Sequence, residues 1–291
     1  MLTGIHILLS YKCTYECDHC FVYSSPRAKG TITAGRIRGA LDEARKIGTI
    51  TKVYFEGGEP TLYYPLLLDG IRLARSAGFE VGIVTNAYFA TSEEDAALWL
   101  APLKEMGLTN LSISDDAFHS SEKPTPAQYA QAAALKMELP FGIIRTDPPV
   151  VAPEQDASIG GVMFRGRAVE KLAPGLPKRD WESFTECPYE DLREPSRLHL
   201  DPYGNVHLCQ GLSLGNAWEK PLSMLVKHYN AASHPIAGQL ASGGPARLVR
   251  EYNVPHESGY VDACHLCFRA RQALLDRFPE YLAPRQVYGV E

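Results

Sequence analysis

Eight residues near the start of the chain decide how the rest is interpreted: Cys13-Thr14-Tyr15-Glu16-Cys17-Asp18-His19-Cys20. Three thiolates at this spacing can hold three corners of a cubane iron–sulfur cluster, which leaves the fourth iron without a protein ligand. An open iron can bind and activate a small molecule, whereas a fully ligated cluster mostly stores or passes electrons. The stretch therefore predicts a catalytic metal site. The alternative is a structural zinc site, with His19 as the fourth ligand.

A second short motif, Gly57-Gly58-Glu59-Pro60, follows about forty residues downstream. Glycines let the backbone approach a neighbouring group closely, so this turn suits the edge of a ligand site. A tight strand-to-helix turn is the structural alternative. Together the two motifs resemble the radical S-adenosylmethionine (SAM) superfamily, whose signatures are Cys-x3-Cys-x2-Cys and Gly-Gly-Glu-Pro.

The resemblance implies a chemistry for the first cluster. In that family SAM chelates the open iron, one electron from the cluster cleaves it, and a 5′-deoxyadenosyl radical abstracts hydrogen from a substrate. Cys13, Cys17 and Cys20 would then be the catalytic cluster ligands. The glycine motif would line the methionine amino group, so a valine at Gly58 is expected to clash with bound methionine while iron content stays normal.

Further cofactor contacts are implied at the ends of the predicted strands. Ser114 and Asp116 resemble the family's Ser-x-Asp pair at the ribose, with a plain polar strand end as the alternative. Relatives often place an arginine shortly afterwards for the methionine carboxylate; here Lys123 or Arg145 would carry that charge. We expect His119 to be a solvated loop residue. The full set implied to contact SAM is His19, Gly57, Gly58, Glu59, Pro60, Thr85, Asn86, Ser114, Asp116, Lys123 and Arg145.

Strand and helix patterns alternate over roughly the first 165 residues. Predicted strands fall on the apolar runs 5–9, 53–55, 81–84, 111–113, 141–144 and 162–164. Helical periods lie between them, with Thr33 capping the first helix and Gly48 ending it. Repeated βα units predict parallel strands with right-handed crossovers. The motifs fall at the carboxyl ends of strands, where α/β barrels build active sites, so this pattern agrees with the partial (β/α)6 barrel that the resemblance implies.

Four more cysteines follow a proline-rich stretch: Cys187, Cys209, Cys264 and Cys267. Four thiolates can fully ligate one [4Fe–4S] cluster. Gly204 precedes the second of them in a Gly-x4-Cys pattern within a predicted hairpin at 197–208. The order resembles the twitch domain, the single-cluster short form of the SPASM domain of radical SAM enzymes. A four-cysteine zinc site is the alternative.

The chain is therefore predicted to hold two [4Fe–4S] clusters in an α/β fold. The barrel would cover 1–170, with strand six near 162–165, followed by a linker over 171–186. A small α+β auxiliary-cluster domain would cover 187–291.

Composition and charge limit the possible classes of function. The odd count of seven cysteines fits a disulfide framework poorly and suits a reducing compartment. A net charge of −5 predicts no general nucleic-acid surface. No apolar run reaches the ~18 residues of a membrane span, and the first ten residues lack the plan of a signal peptide. We therefore expect a soluble cytoplasmic enzyme.

The predicted reaction is hydrogen abstraction from a peptide or small-molecule substrate, followed by oxidation or bond formation while the auxiliary cluster takes an electron. An external donor such as flavodoxin or ferredoxin is expected. Only twelve residues precede Cys13, so recognition of a peptide would need a separate protein. The alternatives are a radical activase of a partner protein and a non-catalytic iron–sulfur redox or binding protein. The twitch-like cysteines count against the first, and the Gly-Gly-Glu-Pro motif counts against the second.

Overall fold

The computed structural model describes residues 1–120, 123–151 and 160–290. The strands are β1 (Gly4–Ser10), β2 (Lys52–Gly57), β3 (Glu80–Thr85), β4 (Asn110–Ser114), β5 (Phe141–Ile144), β6 (Arg179–Asp180), β7 (Arg197–Leu200), β8 (Asn205–Cys209), β9 (Leu212–Asn216) and β10 (Gly259–Tyr260). The helices are α1 (Ala34–Ile47), α2 (Tyr64–Ser76), α3 (Glu93–Glu105), α4 (Pro126–Lys136), α5 (Ala168–Lys171), α6 (Leu222–His228), α7 (Pro235–Tyr252) and α8 (Ala263–Ala273). Among the described helices, none is both long and apolar enough to cross a bilayer.

Eight strands form one sheet in the order β5-β4-β3-β2-β1-β7-β8-β9. The first six of these neighbours run parallel. β8 and β9 continue the sheet antiparallel beyond β7. β6 and β10 form a separate two-stranded pair. The predicted fold class is confirmed: a partial α/β barrel with a smaller C-terminal α+β part.

Local sequence signals explain the barrel elements. Thr33 caps α1 by accepting a hydrogen bond from the Arg36 amide, and Gly48 ends the helix in the left-handed region. Thr125 and Gln128 form a capping box at the start of α4. The five strands predicted between 5 and 144 are all present as β1 to β5. These signals act within a few residues, so they can be read directly from the chain.

The two faces of the barrel sheet differ in character. Ile7 and Phe55 are cross-strand partners on β1 and β2, and both are fully buried. Phe55 faces α2 so closely that a Cβ added at Gly70 would lie 2.9 Å from its ring. Because side chains alternate along a strand, the neighbouring pair His6 and Tyr54 points to the opposite face. That face forms the lumen of the partial barrel.

The prediction of strand six at 162–164, near 162–165, is wrong. In the structure this segment forms no strand, and β7 is the sixth parallel strand, paired with β1. Val162 and Phe164 are nevertheless buried. Their apolar side chains therefore contribute to the core without pairing in a sheet. The predicted 197–208 hairpin exists as β7 and β8. Its first strand also completes the barrel sheet, so the sheet itself continues past the predicted linker.

The C-terminal part contains two helices whose bounds depend on particular residues. Helix α8 begins at Ala263, because Asp262 caps it by accepting a hydrogen bond from the His265 amide at 2.7 Å. This start places Cys264 and Cys267 in the first turns of α8. Helix α7 was not predicted, since Gly243 and Gly244 interrupt its pattern with non-helical backbone angles.

A buried carboxylate joins the hairpin to the end of β1. Asp201 is 0% exposed and accepts hydrogen bonds from the Tyr11 hydroxyl at 2.9 Å and the Asn205 amide at 2.8 Å. Burial alone would raise the pKa of Asp201, but the facing His207 and the Asn205 donors hold it below its ordinary value. The residue that shapes the β7–β8 turn therefore also anchors the start of the cysteine loop.

We expect Asp201→Ala to lower the free energy of unfolding by about 3 kcal/mol or more, because buried donors on Tyr11 and Asn205 lose their charged acceptor. Asp276→Ala is the control: Asp276 is 90% exposed in its ion pair with Arg285, so a loss below about 1 kcal/mol is expected. Urea denaturation followed by circular dichroism measures both. Since the folded pKa of Asp201 is depressed, its contribution is present above the unfolded pKa and is lost as pH falls. Equal losses for the two variants would contradict the role of Asp201.

Candidate active site at the carboxyl ends of the strands

The parallel strands bring the sequence motifs to one edge of the sheet. Each motif begins at the last residue of its strand or within three residues after it, and carboxyl ends of parallel strands meet at the same edge. In strand order from β1 to β5 the motifs are 13–20, 57–60, 85–86, 114–116 and Arg145. The structure therefore gathers five separate stretches of the chain around one mouth.

The glycine motif contacts the cysteine loop itself. Gly58 N donates to Ser10 O at 2.7 Å, and Glu59 N donates to Lys12 O at 2.9 Å. A Cβ added at Gly58 would lie 2.2 Å from Lys12 O, and one at Gly57, where φ is +140°, would lie 2.3 Å from Ser10 O. The glycines are needed so that two chain segments can meet. A valine at Gly58 would therefore strike the backbone that carries the cysteines, while its expected clash with bound methionine stays a prediction.

Glu59 is a buried anchor between β2 and β3. It is 0% exposed, and its Oε1 accepts from the hydroxyls of Thr61 at 2.7 Å and Thr85 at 2.8 Å. Its Oε2 accepts from the Asn86 amide at 2.8 Å. Burial raises the pKa of Glu59, while these donors lower it. Pro60 begins the short 3₁₀ turn that Glu59 caps. Both carboxylate oxygens are thus used to hold the motif in place.

Hydrogen-bond donors contact two of the three thiols in the first set. Cys13 Sγ accepts from the Tyr15 amide at 3.4 Å and from Asn86 Nδ2 at 3.5 Å, and Cys20 Sγ accepts from the Ser24 amide at 3.3 Å. Burial raises the pKa of Cys13 to about 11. N–H donors aimed at sulfur stabilise thiolates once a metal displaces the protons. The loop is suited to ligate metal through sulfur.

Two histidines and one aspartate lie beside this loop. Asp116 Oδ1 pairs with His119 Nδ1 at 2.8 Å. The rings of His19 and Phe118 pack together with their centroids 4.5 Å apart. The expectation that His119 is solvated is wrong, since its side chain is only 15% exposed and its partner Asp116 is buried. Asp116 Oδ2 and His19 Nδ1 are buried and make no hydrogen bond within the described ranges.

The remaining predicted contacts lie at the rim of the mouth. Ser114 ends β4 opposite Ile144, the last residue of β5. Arg145 follows directly, and its Nε donates to Asp115 O at 3.1 Å. Lys123 is exposed on the loop before α4. The structure thus brings Arg145, rather than Lys123, into contact with the Ser-Asp-Asp segment.

The structure also brings the second set of cysteines together. Cys187 lies on the loop before β7, Cys209 ends β8, and Cys264 and Cys267 lie on α8. Burial raises the pKa of the Cys267 thiol to about 12, and nearby Arg271, Cys187 and Cys209 also act on it. Cys209 and Cys267 likewise act on the Cys264 thiol, although up to eighty residues of chain separate members of this set.

Residues 164–167, the connecting strap, join the two cysteine sets. Arg165 Nη1 donates to Cys209 Sγ at 3.0 Å. Arg167 Nη1 donates to Cys17 O at 2.6 Å, and its amide donates to Cys20 O at 2.9 Å. Sequence reasoning missed these arginines. The only available signal was the Arg-Gly-Arg run itself, whose partners are far away in the chain.

A polar triad lies on the lumen face of the barrel sheet. The carboxylate of Glu56 pairs with Nδ1 of His6 and Nδ1 of His199, each at 2.8 Å. Burial alone would raise the pKa of Glu56, but the two imidazoles hold it well below its ordinary value. Tyr54 stacks on His6 with ring centroids 4.9 Å apart. The triad links β1, β2 and β7, and sequence reasoning did not single it out.

Comparison with known proteins agrees with this geometry. Residues 7–135, a little under half of the chain, match the family model described as the Radical SAM superfamily. This part of the chain is similar to the radical SAM superfamily. The matched stretch contains the cysteine loop, the Gly-Gly-Glu-Pro motif and the first four strands. The predicted family is therefore confirmed.

Curated relatives match over part of their length. The putative peptide biosynthesis protein YydG of Bacillus subtilis (strain 168) is 26% identical over 40% of this chain and 36% of its own. The Pyrococcus furiosus protein that modifies the cofactor of tungsten-containing aldehyde ferredoxin oxidoreductase is 28% identical over 40% of this chain and 32% of its own. The chain thus spans about a third of the length of these relatives.

Solved radical SAM structures share the fold over most of the chain. BtrN in complex with AdoMet and 2-DOIA superposes with a TM-score of 0.52 at 16% identity, covering 77% of this chain and 82% of BtrN. The enzyme anSMEcpe with bound AdoMet superposes with a TM-score of 0.50 at 12% identity, covering 95% and 98%. At these identities the likeness concerns the fold alone.

We expect Gly58→Val to lose the iron held by the first cysteine set, because its side chain would displace the Lys12 backbone. Iron content after anaerobic reconstitution should fall by about four atoms per chain. Gly39→Ala on α1 is the control, since a Cβ there meets nothing within 4 Å. If Gly58→Val keeps all its iron and loses only SAM cleavage, the side chain obstructs the ligand instead, and the structural explanation is wrong.

Proposed function

We propose that this protein is a radical SAM enzyme with one auxiliary [4Fe–4S] cluster, which abstracts hydrogen from a substrate and then oxidises it or forms a bond. The observation that carries the proposal is the connecting strap, whose arginines contact both cysteine sets. One set offers three thiols and the other offers four. Three thiols leave a cubane an open iron, and four thiols close one. The site with three thiols can therefore activate a ligand at its open iron, and the site with four thiols can accept or store an electron.

The first site fits a cubane cluster and SAM. When bound, they would supply a radical able to abstract hydrogen. Cys13, Cys17 and Cys20 would ligate the iron, with Asn86 donating to sulfur. The free Oδ2 of buried Asp116 suits a ribose hydroxyl, as the Ser-x-Asp resemblance implies.

The rest of the proposed SAM pocket follows from the same placement. Ser114 accompanies Asp116 at the ribose, and His19 provides main-chain contact to adenine. Arg145 is proposed as the partner of the methionine carboxylate, since it already contacts the Ser-Asp-Asp segment. A guanidinium can bind a carboxylate through two parallel hydrogen bonds.

The second site fits a cluster better than a single zinc ion. Among the described residues, no three cysteine sulfurs lie within 4.8 Å of one another. A tetrahedral zinc ion with thiolates at about 2.3 Å would bring its sulfurs to about 3.8 Å. In addition, Nε of Arg165, Nε of Arg271 and the side-chain amide of Gln210 are buried with no hydrogen bond in the described part of the chain. Unpaired buried donors are rare, and the sulfides of a cluster would accept from them.

The lumen triad is proposed to receive the substrate. Glu56 binds Nδ1 of both His6 and His199, so a neutral ring keeps its Nε2 as an acceptor. Such acceptors suit a substrate that presents hydroxyl or amide donors. This chemistry fits both substrate classes, a peptide and a small polyhydroxylated or amino metabolite. The name of the relative YydG, a putative peptide biosynthesis protein, supports the peptide class.

An external electron donor completes the proposal. The first cluster must be reduced before each cleavage, and a soluble one-electron carrier such as flavodoxin or ferredoxin would supply that electron. A separate peptide-recognition protein is proposed for the case of a peptide substrate.

The cluster count tests the proposal directly. We expect about eight irons per chain after anaerobic reconstitution, and about four when Cys13, Cys17 and Cys20 are all replaced by alanine. Metal analysis by mass spectrometry measures iron and zinc together. Four irons and one zinc in the wild type would remove the auxiliary cluster from the proposal. Reduced protein that never converts SAM to 5′-deoxyadenosine would instead favour the non-catalytic alternative.

Separate cysteine variants distinguish the roles of the two sites. Cys209→Ala should still form 5′-deoxyadenosine with a chemical reductant, because the open iron belongs to the other set, but it should give little oxidised product. Cys13→Ala should form neither. Because metal binding contributes to folding, circular dichroism must first show that each variant is folded. Full product yield from folded Cys209→Ala that lacks the second cluster would reduce that site to a structural role.

A further inference from the structure

Two buried arginines accompany the second cysteine set. Arg165 is 7% exposed and Arg271 is 2% exposed. Arg165 donates to Cys209 Sγ at 3.0 Å, and Arg271 Nη1 donates to Gln210 O at 3.1 Å, one residue further along. Burying a guanidinium is costly unless negative charge compensates it.

The backbone holds Arg165 rigidly in place. Its guanidinium lies 4.9 Å from the ring centroid of Phe21, the residue after Cys20. The next residue, Gly166, has φ +60°, and a Cβ there would lie 2.5 Å from Cys20 O. Arg167 then binds the first cysteine loop. Arg165 is therefore held between the two cysteine sets and cannot easily turn away.

We propose that Arg165, assisted by Arg271, raises the reduction potential of the cluster on the second cysteine set and so makes that cluster an electron acceptor. This inference rests on the proposed auxiliary cluster. A thiolate-ligated cluster is anionic, and reduction adds one further negative charge. A fixed cation in a buried site stabilises the more negative state most, because the low dielectric strengthens the attraction. Arg165 acts as a tuning residue, since it bonds to a ligand sulfur rather than to substrate.

The test uses the full chain with Cys13, Cys17 and Cys20 replaced by alanine, so that only the second cluster remains. A redox titration followed by electron paramagnetic resonance gives its midpoint potential. We expect Arg165→Gln to shift the midpoint to more negative potential and Arg165→Lys, which keeps the charge, to shift it less. Arg250→Gln is the control, since Arg250 is 50% exposed in a pair with Glu182 and solvent screens the same change in charge.

Each outcome bears on the proposal. Equal midpoints for Arg165→Gln and Arg250→Gln would overturn it, and so would equal shifts for Arg165→Gln and Arg165→Lys. If Arg165→Gln loses its iron while Arg165→Lys keeps about four atoms, charge compensation is supported; loss in both overturns it. If the background variant holds zinc instead of iron, the auxiliary cluster itself fails. If Arg165→Gln keeps its iron and its midpoint potential does not change, the role of Arg165 is wrong but the auxiliary cluster stands.

Discussion

The site depends on two main-chain hydrogen bonds between neighbouring strand ends, from Gly58 N to Ser10 O at 2.7 Å and from Glu59 N to Lys12 O at 2.9 Å. No side chain fits between these segments. Glu59 then fixes the same turn to β3 through Thr85 and the Asn86 amide. Three strand ends are thereby locked together before any metal binds. A preorganised set of ligands loses less conformational entropy on binding than a flexible one.

The second constraint is that the barrel and the C-terminal part share their structural elements. β7 pairs with β1, the lumen triad includes His199 of β7, and the connecting strap at 164–167 contacts both cysteine sets. The two cysteine sets are therefore connected through shared backbone and side-chain contacts.

Much of the barrel could be predicted from the sequence because its signals are local. The five strands before residue 145 and the caps at Thr33 and Thr125 involve residues a few positions apart. The segment 162–164 shows the limit of such signals: it is apolar and buried, as a strand would be, but pairs with no strand. β7 takes the open edge of β1 instead, which depends on contacts across more than 190 residues of chain. The α7 helix was missed because two glycines break its pattern.

The sequence by itself determined which thiols the chain offers as metal ligands, three in one loop and four elsewhere, because ligand identity and spacing are properties of the chain. The tertiary structure alone decided what surrounds those thiols. Tyr11 meets Asp201 across 190 residues, and Arg167 meets Cys17 across 150. It also decided that Gly58 faces backbone and that Arg165 faces Cys209. Such contacts form only when distant segments of the chain pack together. No short sequence pattern encodes them, because the position of each partner depends on how the intervening chain folds.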